Sequence, residues 1–226
     1  MPLVENFDSY NDGNLDGQGD WVLMNGNANC LQIQGTTKQA GTKGVQGIVA
    51  NAGSYSRDKI TGIDFSGNGS QIFYARSASN NNACYTYAMK DSDSSGGFAI
   101  FFTPAGNIEY NIDGQANGVI LTGYNADQWY KLEVEWRTSD GKTRFRVDDG
   151  TWGNWVAGRG GTWGSPDMIF LMIHVNDGAN ADFFWDSFSG TAPTTNIKSV
   201  EGIEYASIGK IIGIAKASIK KIIGVQ

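Results

Sequence analysis

Short runs of alternating apolar and polar residues, separated by clusters of Gly, Asn and Asp, constrain the fold of this chain most. Such alternation places apolar side chains on one face of an extended strand, and the intervening turn residues join antiparallel strands. The clearest runs are SQIFYARS, ACYTYAMK, GFAIFFT, NIEYNID, WYKLEVEW, TRFRVDD, DMIFLMIHV and ADFFWDSFS. Because no window before residue 196 has a helical period, we predict an all-β fold.

The composition and length support one large β domain. The 226 residues include 31 Gly and 27 aromatic residues, whereas helices are usually filled by Leu, Ala and Glu. Single β-sandwiches commonly have about 200 to 250 residues. The segment TAPTT has no periodicity and is the one candidate linker. We therefore predict a sandwich domain over 1–190, a linker over 191–195 and a separate tail over 196–226.

The segment WYKLEVEWRTSDGKTRFRVDDG predicts a hairpin. A two-residue turn at Asp140 and Gly141 would suit this dipeptide, which adopts positive φ readily. Trp136 would then face Phe145, and Val134 would face Val147. Glu135 would lie opposite Arg146 on the other face, which we expect to be charged, paired and solvated.

The charge distribution excludes one class of partner. The formal net charge is −6, and the tail carries +3, so the rest of the chain carries −9. A surface this acidic repels a phosphate backbone. We therefore predict no nucleic-acid partner.

The sequence shows no targeting or membrane segment. The start MPLVENFDSYNDG lacks the basic and apolar regions of a signal peptide, and no run approaches the roughly 20 apolar residues of a membrane span. The two cysteines, Cys30 and Cys84, are 54 positions apart with no companion at metal-ligand spacing. We interpret them as free thiols of a reducing compartment, with a single disulfide as the alternative.

The acidic strand pair is the first candidate for catalysis. Glu133 and Glu135 lie two apart and share a strand face, as the nucleophile and acid of a glycoside hydrolase can. The arginines nearby favour an ion-paired surface instead. His174 is the only histidine and lies in an apolar run without a nucleophile at recognisable spacing. We therefore predict no catalytic residue.

The segment DGNLDGQGD resembles the first part of a calcium loop of the D-x-[DN]-x-[DN]-G type. Its candidate ligands are Asp12, Asn14, Asp16 and Asp20, but Leu23 stands where the bidentate glutamate would be. The same residue types also form ordinary turns. We predict no cofactor, with calcium at this loop as the alternative.

A glycine-rich segment, GTWGNWVAGRGGTWGS, carries three tryptophans. Indole rings on loops can stack on sugar rings, which makes Trp152, Trp155, Arg159 and Trp163 candidate glycan-binding residues. Tryptophan is also usually well buried, so the same rings could instead plug the edge of the sandwich.

Three segments together resemble the concanavalin A-like lectin/glucanase superfamily, which includes laminin G-like modules, and particularly its copies in bacteriophage and bacterial surface proteins. They are ENFDSYNDGNLDGQGDW, DQWYKLEVEW with TRFRVDDGTW, and ADFFWDSFSG. The resemblance covers about residues 4 to 190 and implies an antiparallel jelly-roll sandwich that binds ligands on its concave face or loop rims. Hydrolase members have Glu, Asp and Glu at alternate strand positions. Here Arg137 stands at the third place, so catalysis does not carry over.

The tail contains an internal repeat of eleven residues, in the segments NIKSVEGIEYA, SIGKIIGIAKA and SIKKIIGVQ. It resembles short repeats of phage fibre and virion proteins. The last two copies could form an amphipathic, membrane-binding helix, but Glu201 and Glu204 would interrupt its apolar face in the first copy, and Gly and Ile disfavour a helix. We therefore predict β-strands that assemble with other copies or partner proteins through Ile197, Val200, Ile203, Ile208, Ile211, Ile214, Ile219, Ile222 and Val225.

These observations predict a non-enzymatic virion protein, made in the host cytoplasm, that serves in structure, decoration or adhesion. Its jelly roll would be exposed, with a cell-surface glycan as candidate ligand. Its tail would assemble a homo-oligomer or bind other virion proteins, and we expect no membrane partner. The alternatives are a glycan-degrading enzyme of the same fold, a secreted or surface lectin, and a peripheral membrane protein.

Overall fold

A computed structural model describes residues 2–49, 55–80, 83–89, 96–112, 116–157, 166–174 and 181–191. Among these residues there is one 3-10 turn, Ala28–Cys30, and no helix long and apolar enough to cross a membrane. The all-β prediction is confirmed. The strands are β1 Gly13–Asn14, β2 Val22–Gly26, β3 Leu31–Gln34, β4 Gly44–Val49, β5 Tyr55–Thr61, β6 Gly69–Ser77, β7 Ala83–Met89, β8 Gly96–Phe102, β9 Asn107–Ile112, β10 Ala116–Thr122, β11 Trp129–Arg137, β12 Lys142–Val147, β13 Val156–Ala157, β14 Met168–His174 and β15 Ala181–Thr191.

The strands form two antiparallel sheets packed as a jelly-roll sandwich. The eight-stranded sheet has the order β1-β3-β4-β15-β6-β11-β12-β13, and the seven-stranded sheet has the order β10-β9-β8-β7-β14-β5-β2. Strands that are distant in sequence, such as β15 and β6, are neighbours in the sheet. The first and last strands, β1 and β15, lie in this same sheet.

The core lies between the sheets and is rich in aromatic rings. In β6 the predicted alternation is observed, with Gln71, Phe73, Ala75 and Ser77 buried. Phe183 packs with Phe102 at a ring-centroid distance of 4.9 Å, edge to face. Edge-to-face pairs add about 0.5–1.5 kcal/mol to the burial of their surface. The sandwich is therefore held by interdigitating rings from both sheets.

Strand β5 departs from the alternating pattern, because two of its inward positions hold polar residues. Ser56 and Asp58 are fully buried. The Ser56 hydroxyl donates to the Asn27 carbonyl at 2.9 Å, but within the described residues neither carboxylate oxygen of Asp58 has a hydrogen-bond partner. Burial, followed by the charge of Asp16, raises the pKa of Asp58 to about 7.

The hairpin of β11 and β12 forms, but its predicted register is wrong by two residues. Val134 pairs with Phe145, Glu135 with Arg144 and Trp136 with Thr143. The loop therefore has four residues, Thr138 to Gly141, because the Arg137 guanidinium clamps the Asp140 carboxylate at 2.6 Å and Asn68 accepts from the Thr138 N–H at 2.8 Å. A shift of two preserves the faces, so the predicted core and charged faces are correct.

The two cysteines are free thiols in the structure, and both are buried. Burial raises the pKa of the Cys84 thiol well above its usual range. Burial and then the charge of Asp58 raise the pKa of Cys30. Since the thiolate is the reactive form, both side chains behave as small apolar groups.

Candidate functional site

The outer face of β11 carries two glutamates, and arginines of β12 hold both of them. The Arg144 Nε donates to a carboxylate oxygen of Glu135 at 2.6 Å, and the Arg146 guanidinium donates to Glu133 at 2.7 Å. The Lys131 ammonium lies 3.0 Å from the other oxygen of Glu133. Glu133 is only 4% exposed. The face is charged and paired as expected, but at Glu133 it is buried rather than solvated.

Trp152 and Trp155 lie on this face in an alternating series with the arginines. The Arg146 and Arg144 guanidinium carbons lie 4.5 Å and 4.7 Å from the Trp152 ring centroid. Arg144 and Arg137 lie 4.5 Å and 4.2 Å from that of Trp155. Cations within about 6 Å of an indole ring are attracted by its quadrupole. Much of each ring's face is therefore occupied by a guanidinium group of the protein itself.

A tight turn follows directly after β12, at the opposite end of this strand from the hairpin loop. Asp148 and Asp149 both have left-handed backbone, with φ of 49° and 57°. The Gly150 N–H donates to the Val147 carbonyl at 2.9 Å, as in a type I′ turn. The Asp149 carboxylate accepts from the Lys131 ammonium at 2.6 Å. This bond lowers the pKa of Asp149 and raises that of Lys131, so the turn is fixed electrostatically.

Beyond this turn, an open cleft of about 430 Å³ lies along the side of the sandwich. We call it the edge cleft. One wall comes from β9 and β10 of the seven-stranded sheet, and the other from β12 and the loop that follows it. Its lining residues are Tyr110, Val119, Ile120, Phe145, Arg146, Val147, Gly150, Thr151, Gly153 and Asn154.

The aromatic residues of the edge cleft pack on each other. The rings of Tyr110 and Phe145 stack with centroids 4.6 Å apart and planes 11° apart. On the neighbouring strand, Gly118 pairs with Tyr110, and a Cβ at Gly118 would lie 2.4 Å from the tyrosine ring. Tyr110 is thus held between Phe145 and the β10 backbone, which fixes the width of the cleft.

The candidate calcium loop uses its polar side chains within the protein. Asp12 forms an ion pair with Lys43 at 2.9 Å. Asn14 accepts from the Gln32 side chain at 2.5 Å. Asp16 accepts from the Leu23 N–H at 2.8 Å, and Asp20 is exposed. Across the described ranges, no three acidic, His or Cys side chains form a group that could hold a metal ion. The assignment of these residues as calcium ligands stays a prediction.

Several predicted site residues lie outside the part of the chain that the structure describes. They are Arg159 and Trp163, most of the linker, and the entire repeat tail 196–226. The backbone of His174 belongs to β14, and its side chain is not described. The assignments of these residues stay predictions.

By sequence, the chain matches no protein-family model and no curated protein. Solved structures do share its fold. A sialidase has a TM-score of 0.64 at 12% identity, with 97% of this chain and 22% of that chain covered. This chain therefore spans about a fifth of the sialidase.

Two further structures extend this comparison. The lectin UEA-II, in complex with galactose, has a TM-score of 0.50 at 13% identity and covers 84% of this chain and 99% of its own. A carbohydrate esterase of the Shiga toxin-encoding bacteriophage phi24B has a TM-score of 0.53 at 14% identity, covering 83% and 98%. These neighbours have concanavalin A-like lectin/glucanase jelly-roll folds, as the sequence resemblance implied.

Sequence reasoning missed the edge cleft. Its walls come from segments more than 30 positions apart, such as Tyr110 and Phe145, which only the strand order brings together. Two local signals were present. The dipeptide Asp148–Asp149 before Gly150 indicates a tight turn, and Gly118 in NGVILT is a glycine within a strand pattern, which often marks a close approach of another group.

Proposed function

We propose that this protein is a non-enzymatic, glycan-binding component of a virion, which serves in adhesion or decoration. The edge cleft is the observation that carries the proposal. Its volume of about 430 Å³ lies in the lower part of the range of about 300–1,000 Å³ that is typical of small-ligand sites. It combines aliphatic walls with polar groups of Thr151 and Asn154, and a short saccharide has both apolar and hydroxyl faces to match.

The fold neighbours support a carbohydrate ligand. One is a lectin bound to galactose, and another is a phage carbohydrate esterase. At 13% and 14% identity the likeness extends to the fold, so binding by this chain is inferred from its own cleft.

The position of the acidic residues supports a non-enzymatic role. A glycosidase needs two carboxylates that flank the scissile bond in a shielded site. Glu133 and Glu135 are instead held by Arg146 and Arg144, and neither lines the edge cleft. A sugar in that cleft would not meet them.

The virion role and the assembly function rest on the repeat tail and on the phage neighbour. Strands of the eleven-residue repeat would present Ile-rich edges, which need pairing to remain soluble. We expect the full chain to be oligomeric by light scattering and a chain ending at Ser189 to be monomeric. Monomers in both cases would refute the assembly role.

Glycan binding is tested with the full chain on an oligosaccharide array, followed by calorimetry with any glycan that binds. The exposed Thr151 lines the edge cleft, so Thr151→Trp should fill it and abolish binding without lowering Tm. The matched control is Thr36→Trp, at an exposed threonine outside the cleft, which should bind normally. Binding by the Thr151 variant at parental affinity would place the site elsewhere.

The non-enzymatic role needs a separate measurement. Polysaccharides incubated with the full chain should release no new reducing ends. Release that is lost in Glu133→Gln or Glu135→Gln would establish the hydrolase alternative instead.

A further inference from the structure

The apolar wall of the edge cleft is aliphatic. Val119 is 53% exposed, and Ile120 and Val147 lie beside it in the lining. The two aromatic rings of the cleft are stacked on each other at 4.6 Å, so neither offers an open platform to a sugar ring. The wall therefore suits a small apolar group, such as a methyl group, better than the flat face of a pyranose.

The opposite wall offers backbone hydrogen-bond donors. The carbonyls of Phe145 and Val147 accept from Gly153 and Gly150, both at 2.9 Å, so they point away from β11. In an antiparallel strand, the N–H and C=O of one residue point to the same side. The N–H groups of Phe145 and Val147 therefore point to the same side, away from β11 and toward the loop that follows β12. Within the described part of the chain, neither has an acceptor.

The charge around the edge cleft favours a neutral ligand. Arg146 is the one charged residue among those that line it. Its guanidinium is already bonded to Glu133 at 2.7 Å and lies 3.7 Å from Asp149. The chain outside the tail carries −9, so an anionic sugar would be repelled.

From these three features we infer that the edge cleft recognises a neutral glycan through an N-acetyl group. The acetamido methyl packs against Val119 and Ile120, and the acetamido oxygen accepts from the β12 edge N–H groups. This inference rests on the proposed glycan binding and specifies the sugar class. A 6-deoxy sugar offers a methyl group without the carbonyl and serves as the discriminating ligand.

The first experiment measures affinity of the full chain for chito-oligosaccharides, for gluco-oligosaccharides of the same linkage and length, and for a 6-deoxy sugar. Burying one methyl group contributes roughly fourfold in affinity, and one hydrogen bond roughly fivefold. We therefore expect the acetamido ligand to bind about 20-fold tighter than its glucose counterpart, and the 6-deoxy sugar to bind at most about fourfold tighter.

The second experiment tests the apolar wall with two matched valines. Val119 and Val22 are 53% and 45% exposed, and they lie on β10 and β2, the opposite edges of one sheet. Val119→Ser should remove the methyl contribution and lower the acetamido preference from about 20-fold to about fivefold, while leaving binding of the glucose ligand unchanged. Val22→Ser should change neither affinity, and both variants should keep the parental Tm within a few degrees.

The outcomes separate the two proposals. If no glycan binds the full chain, the proposed function fails. If glycans bind at the cleft but glucose and acetamido ligands bind equally, or Val119→Ser has no selective effect, only the N-acetyl inference is overturned. A stronger response to the 6-deoxy sugar than to the acetamido ligand would also overturn it.

Discussion

Asp58 and Glu133 are both buried carboxyl groups, and their surroundings differ sharply. Glu133, on the outer face of β11, lies 3.0 Å from the Lys131 ammonium and 2.7 Å from the Arg146 guanidinium. Asp58, on the inner face of β5, has no hydrogen-bond partner among the described residues, and the charge of Asp16 raises its pKa further. The comparison shows that equal burial can either lock a carboxylate into an ion pair or favour its protonated form.

The largest effect should come from replacing Asp58 with Asn, which keeps the shape and removes the titration. The folded pKa is about 7 against an ordinary value of 3.8, so between pH 4 and 7 the folded state binds more protons than the unfolded state. Stability of the parent therefore falls as pH rises across this window and levels off above it, by roughly 4 kcal/mol in total. Chemical denaturation at several pH values should show that the free energy of unfolding of Asp58→Asn, relative to that of the parent, rises by about this amount between pH 4 and pH 7.

The control for this experiment is Asp127→Asn. Asp127 is an exposed carboxylate that forms an ion pair with Arg76, so its replacement should change stability by less than about 1 kcal/mol. If the free energies of unfolding of the parent and of Asp58→Asn change in parallel with pH, the account of Asp58 is refuted.

The next largest effect should follow Glu133→Gln. Removing one member of a buried ion pair leaves its partners uncompensated, which commonly costs about 3–5 kcal/mol. Because the side chains of Lys131 and Arg146 remain 22% and 23% exposed, we expect about 2–3 kcal/mol in the free energy of unfolding. A loss below about 1 kcal/mol would mean that Glu133 is not held as the structure shows.

A substitution at Trp155 tests whether the indole ring stabilises the two arginines that pack on it, Arg137 and Arg144. Trp155→Leu keeps an apolar side chain but removes the ring that lies between Arg137 and Arg144. The expected loss is about 1 kcal/mol, and Trp155→Phe should restore about half of it. Equal stabilities of the Leu and Phe variants by urea denaturation would exclude a cation–π contribution.

The smallest effect should come from Glu135→Gln. Its pair with Arg144 has side chains 34% and 27% exposed, so solvent screens it more than the Glu133 pairs. We expect a loss of about 0.5 kcal/mol that shrinks in 1 M salt. A loss as large as that of Glu133→Gln would erase the distinction between the two glutamates.

The sequence predicted the parts of the fold where alternation is regular. All eight quoted runs lie on strands, from β6 to β15. None of the quoted runs covers β1 to β5, β10 or β13. In β5 the alternation is hidden because its inward positions include Ser56 and Asp58 instead of apolar residues. The hairpin register was missed because Arg137, Asp140 and Asn68 stabilise a longer loop, an interaction that depends partly on a residue about 70 positions away.

The candidate site was less accessible to sequence reasoning. Trp152 and Trp155 were predicted as candidate glycan-binding residues, which stays a prediction, and the arginines that pack on their rings follow from the register of β11 and β12. The edge cleft depends on which strands lie last in each sheet. Strand order is set by long-range pairing, which local patterns do not encode.

The strand order also bears on how two sandwich domains of this protein could pair edge to edge. Among the described residues, the eight-stranded sheet ends at both sides in strands of two residues, β1 and β13, which offer little backbone for pairing. The seven-stranded sheet ends in β2 and β10, of five and seven residues, each with an exposed valine. Unwanted pairing in concentrated solution would therefore extend one layer only, as a ribbon. A ligand seated beside β10 would cap one side of that ribbon and limit its growth.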